Sequence, residues 1–253
     1  MTSFIWGRDP KEAYQNPYEY EAQNQFYREA SELLRLLFEH ITKKSGTYIR
    51  DDQSAEKAIW MLSLDSLESL IDCLELLRDK KHRIAGRLFR DAVETMDIAS
   101  YFNSNDIKKD KHLRDWYKDK VIQNSIYRNY IKENDEQEWG VLQKYYKQLS
   151  KINHRTYRSL AFSYSLGSNE RLIYEGRYES GLMVPPHVIA MYYALLSGLI
   201  SNFILRIIDC RLISVEEADE FWDQALEEEV IERRFVSPKE VFERFIKEAD
   251  DIT

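Results

Sequence analysis

Glycine and proline are scarce in this chain, at 8 and 5 of 253 residues. A fold of many strands and tight turns needs more of both, so a sheet-rich protein is excluded and long helices are favoured. Cysteine is scarcer still. Cys73 and Cys210 are the only two, each inside an apolar run. Such a pair cannot supply the disulfide framework of a small secreted domain, and reads as two buried thiols in a reducing cytosol. A surplus of positive charge is also missing. The net charge of −8 and the pI of about 5.3 repel phosphate backbones, so broad nucleic-acid binding, to DNA above all, is not expected. A local basic patch remains compatible with that balance. Residues 1–7 carry neither the basic stretch nor the apolar core of a signal peptide, and a cytoplasmic protein is expected.

Familiar catalytic signatures are absent too. There is no glycine-rich phosphate loop, no GxSxG elbow, no HExxH and no CxxC, and hence no motif that asks for a metal or cofactor. The Glu-x-x-His pair of di-iron bundles is missing; its nearest approach is Asp79-x-x-His82.

What is present points to a helical core. Hydrophobic residues make up 43% of the chain, and 17 Tyr and 11 Phe argue against disorder. Charged residues reach 32% with a mean hydropathy of −0.57, which describes a well-solvated surface. Residues 1–16 read as an arm, with Asp9-Pro10 a cap and first-turn proline. A first helix is expected over about 18–44, where Phe26, Ala30, Leu33, Leu34, Leu37, Phe38 and Ile41 recur at helical spacing. A second, capped by Ser54, runs to about 80 with Met61 and Leu64 among its apolar set. A third covers 82–103, with Ile84 on its inward side. Residues 106–132 are polar and rich in Tyr and Lys, and a fifth helix is expected from about 135 to 153 or beyond.

Residues 163–184 hold three glycines and no helical period. They read as a long loop with a small hairpin near 171–178, and loops of that length are often functional. Residues 188–205 carry no charge, about the length of a membrane span. Other helices here have apolar faces in need of a partner, so a buried central helix is the preferred reading over a membrane segment. Ser214 with Glu217 forms a capping box, and Ser237-Pro238 with Glu240 another. The expected architecture is all-α: a bundle of five to seven long helices over 17–212, extended by a C-terminal helical pair over 213–253.

Several residues invite chemistry. Arg90 and Glu94 are four apart and border an apolar stripe. They read either as a surface ion pair or as a pair turned into a polar pocket inside the bundle. His154 follows a helix and could serve as acid, base or ligand near neutral pH, or as a structural hydrogen-bonding residue. Arg78 and His82 flank the most basic short run. On one unbroken helix they would share a face and offer a base and a cation for RNA cleavage; otherwise the run is an inter-helix turn. Asp65, Glu68, Asp72 and Glu75 form an acidic stripe, read as a solvated face.

The segment SLESLIDCLELLRDKKHRIAGRLFRDAVETMDIASYF, then KHLRDWY, then LSKINHRTYRSL resembles a diffuse group of uncharacterised bacterial helical proteins. In that group a helix with Arg-x-x-x-Glu precedes a Leu-Ser…His segment. The resemblance covers about residues 55–205 and extends to the HEPN-like helical fold. It implies a bundle, frequent homodimers, and roles in toxin–antitoxin or phage-defence modules. Arg90, Glu94 and His154 are the positions it marks. Ribonuclease members space their Arg and His more widely than the three residues between Arg78 and His82. Two further classes stand beside a metal-independent ribonuclease: a non-enzymatic protein that binds a partner protein, and a small-ligand sensor with Arg90, Glu94 and His154 around a pocket.

The nuclease reading predicts that total RNA and tRNA are cut in EDTA, and that either His82→Ala or His154→Ala abolishes cutting. A gel assay with both folded variants checks it, and intact RNA throughout removes the reading.

Overall fold

The computed structural model describes residues 20–79, 81–134, 139–140, 143, 146–147, 149–150, 164–166, 172–174 and 186–220. The fold is all-α, a helical bundle, with one two-stranded hairpin as its only sheet among those residues. The helices are α1 (Tyr20–Thr42), α2 (Ala55–Arg78), α3 (His82–Asn103), α4 (Lys109–Trp116), α5 (Asn124–Asn134) and α6 (Pro186–Asp209). A further helical stretch lies within 139–150, and another helix begins after Ser214. Between them sit strands β1 (Tyr164–Leu166) and β2 (Leu172–Tyr174), antiparallel with Tyr164 opposite Tyr174. Only the second of these strands falls within 171–178, where the hairpin was expected; the pairing lies nearer the N-terminus.

The centre of the bundle is the α2–α3 pair. Ile59, Ser63, Ser66, Leu70, Cys73 and Leu77 on α2 are all buried, at alternating steps of four and three. Ala85, Phe89, Ala92, Met96 and Ala99 on α3 follow the same rhythm, the spacing of a coiled-coil seam. Small side chains on both helices let the backbones approach closely. Ser66 Oγ donates to the Ala92 carbonyl at 3.1 Å, and the Cys73 thiol reaches the Ala85 carbonyl at 3.5 Å. Burial pushes the thiol of Cys73 up, and that of Cys210 up to about 12.

Helix α1 packs on α2, α6 lies against both α2 and α3, and α5 lies on α3. The uncharged run 188–205 thus forms most of a buried central helix. No helix among the described residues is long and apolar enough to cross a membrane. Some inward assignments need correction: Met61 and Ile84 are exposed, and Leu64 is only partly buried. Both exposed residues sit beside, not on, the four-and-three seam. The polar region 106–132 is two short helices, not one. Leu113 anchors α4, Tyr127 and Ile131 anchor α5, and the Tyr101 hydroxyl meets Nδ1 of His112 at 2.7 Å. Residues 1–16, His154 and the final helix expected after Ser237 lie outside the described residues.

Helix ends here are closed with hardly any glycine. Ser54 Oγ accepts from the Lys57 N–H at 3.2 Å and caps α2. The Ser214 box is reciprocal: Glu217 accepts from Ser214 N at 2.7 Å, and Ser214 Oγ accepts from Glu217 N at 3.1 Å. Lys81 N–H donates back to the Leu76 carbonyl at 2.7 Å, which ends α2. After α4, Asp119 N–H donates to Trp116 and Lys120 N–H to Asp115; after α6, Arg211 N–H donates to Ile208 and Leu212 N–H to Ile207. These stops place Asp119 (φ 62°) and Arg211 (φ 57°) in the left-handed region.

An arginine there is strained by its own Cβ. Arg211→Gly is expected to raise the unfolding free energy by about 1 kcal/mol. Asp119→Gly should raise it less, since aspartate tolerates that region better. Urea denaturation of both variants checks the order.

Candidate functional site

The stripe on α3 that carries Arg90 and Glu94 continues to Asp97 and Tyr101, again in steps of three and four. It faces α5, α6 and the helical stretch 139–150. Glu94 Oε1 gathers three donors: Arg90 Nε at 2.7 Å, Asn124 Nδ2 at 3.1 Å and Arg128 Nη2 at 3.1 Å. The last two come from α5, so the carboxylate fixes α5 against α3. Arg90 and Arg128 remain about a quarter exposed, with side-chain exposures of 29% and 25%.

One step along α3 lies Asp97, fully buried. Its Oδ1 pairs with Arg206 Nη1 of α6 at 3.0 Å, and its Oδ2 accepts the phenol O–H of Tyr146. Arg206 also donates to Asn202 Oδ1 at 2.8 Å and to Ser100 Oγ at 2.9 Å. Burial drives the Asp97 carboxyl above its ordinary range, and Arg206 and the Tyr146 phenol oppose that rise. Burial, and then the Asp97 carboxylate, push the Tyr146 phenol far up, so it stays protonated. The ring of Tyr146 in turn carries the Arg128 guanidinium 3.6 Å above its centre.

A cleft of about 460 Å³ opens beside these groups. Arg90 and Arg128 line it from α3 and α5. Trp139, Gln143, Tyr146, Lys147 and Ser150 line it from the third helical segment. The buried Nε–H of Arg128 finds no acceptor among the described residues. Among the described residues, three cations, two aromatic rings and two neutral polar groups line the cleft, and no carboxylate does. Arg90 and Glu94 thus border a polar pocket at the side of the bundle.

The other marked residues are elsewhere. Arg78 is the last residue of α2 and His82 the first of α3, so no common helical face joins them. Arg78 is half exposed; it pairs with Glu75, donates to the Tyr27 hydroxyl at 2.7 Å and lies over the Tyr27 ring. His82 is buried edge-on to Tyr192 at 5.2 Å. Arg90 lies about 12 Å beyond it along the α3 axis. The chain turns between the two helices after Arg78. The acidic stripe of α2 is largely solvated, and no cluster of metal-ligating side chains occurs among the described residues.

Arg128, Tyr146, Asp97 and Arg206 were not singled out by sequence reasoning. Asp97 was readable as the next member of the Arg90–Glu94 row. Arg206 was readable as the charge that ends an uncharged run. No protein-family model matches the chain, and no curated protein or solved structure is significantly similar to it.

Removing one partner of the Asp97–Arg206 pair leaves a buried charge. Arg206→Met is expected to cost about 3–5 kcal/mol, with most of the loss recovered in the double variant Asp97→Asn/Arg206→Met. Thermal unfolding of the two proteins checks it.

Proposed function

We propose that this is a HEPN-like bacterial protein that binds a phosphate-bearing ligand with a planar ring, a nucleotide or a nucleotide unit of an RNA strand, in the Arg90 cleft. The observation that carries this reading is the charge of the lining. Arg90, Arg128 and Lys147 face the cleft, and among the described residues the only carboxylate bonded to either arginine is Glu94. A positive cleft in a chain of net charge −8 is a focused anion site. Guanidinium groups match phosphate oxygens with paired N–H donors. Trp139 offers a ring for stacking, as single-stranded nucleic-acid sites do, and Gln143 can both donate to and accept from a base edge.

Metal-independent RNA cleavage, and a place in a defence or toxin–antitoxin module, are the finer proposals, and they rest on the family resemblance alone. Cleavage needs a base at the ribose 2′-hydroxyl. His154 is the candidate that the resemblance marks.

The test is calorimetric titration with AMP and with a short single-stranded RNA in EDTA, at low and moderate salt. Arg90→Gln and Arg128→Gln should each weaken binding at least roughly tenfold, and added salt should weaken RNA more than AMP. Binding with intact RNA identifies a ligand-binding protein; binding with cut RNA identifies a nuclease. No heat from either ligand overturns the reading and turns attention to a protein partner.

A further inference from the structure

Arg128 is held in an unusual way for a residue lining an open cleft. One edge of its guanidinium is bonded to Glu94, and its flat face rests on Tyr146. A stacked ring fixes the angle of a guanidinium only if the ring itself cannot turn. Tyr146 is tethered at its far end, where its O–H donates to Asp97. Asp97 has no solvent exposure, and its other oxygen is clamped by Arg206 from the central helix. No water molecule can take the tether's place without entering the core. The line of contacts therefore runs from the buried pair, through one phenol, to a cation in the cleft.

We infer that Tyr146 is a positioning residue: tethered to Asp97, it sets the orientation in which the Arg128 guanidinium meets a phosphate in the cleft. This rests on the anion-binding reading for its functional meaning, but the geometry stands on its own contacts. Phenylalanine would keep the ring and lose the tether. The ring could then tilt, and Arg128 would spend part of its time turned away from the ligand. Lysine at 128 could not replace the stacked fork, since an ammonium has no flat face.

Two measurements test this. The first is a double-mutant cycle on AMP affinity. Tyr146→Phe should weaken AMP roughly tenfold in the native background and change nothing in an Arg128→Gln background, because the effect passes through Arg128. Equal weakening in both backgrounds overturns the inference. The second needs no ligand. In a nitrogen–proton NMR spectrum, the Nε–H of Arg128, assigned by its loss in Arg128→Gln, should exchange slowly and lie upfield, under the Tyr146 ring. Tyr146→Phe should move it toward the exposed arginines, while the backbone spectrum stays folded. An unmoved resonance overturns the inference. A resonance that moves in a protein that binds no AMP upholds the positioning role and removes the ligand reading instead.

Discussion

A carboxylate shut away from water is the constraint on which this bundle turns. Asp97 cannot remain charged in the interior without partners, and each partner arrives on a different element. Arg206 comes from α6 and Tyr146 from the segment beyond α5. Satisfying one group therefore fixes how far α6 slides along α3 and how the later helical segment is rotated. Arg206 is itself held by Asn202 and Ser100, which sets the pitch of α6 at its polar end. Apolar packing along the uncharged run, by contrast, is non-directional and would tolerate a shift by a turn.

The close α2–α3 seam makes that anchoring possible. Buried small side chains on both helices, with Ser66 bonded to the Ala92 carbonyl and Cys73 to that of Ala85, hold the two helices in register. With one side of α3 locked, its neighbouring row of Arg90, Glu94, Asp97 and Tyr101 is turned toward α5, α6 and the segment carrying Tyr146. Glu94 recruits α5, Asp97 recruits α6, and the cleft forms in the angle between α3, α5 and the segment carrying Trp139.

Much of the fold was legible because periodicity is a local signal. The third helix was expected over 82–103, where it is found, and the Ser54 cap and the Ser214–Glu217 box were readable as short patterns. Met61 and Ile84 were misassigned because hydrophobicity does not say which of two adjacent stripes meets a neighbour. The 106–132 region hid its break because the turn at Asp119 uses no glycine. At the site, Arg90 and Glu94 were visible as a pair four apart. Arg128 and Tyr146 were not, since their roles exist only once α5 and the next segment fold back onto α3. The pairing of Arg78 with His82 failed at the turn between α2 and α3, where helical spacing stops applying.

The two cysteines lie at opposite ends of the bundle. Cys73 sits against Ala85 near the α2–α3 turn, and Cys210 follows α6 where Asp209 meets Asn103 at the far end of α3. Both are buried, with ionisation suppressed by that burial, so neither reacts with a thiol reagent until its own end opens. The protein thus carries a pair of built-in clocks. Their separate alkylation rates report whether the bundle breathes from one end, from the other, or only as a whole.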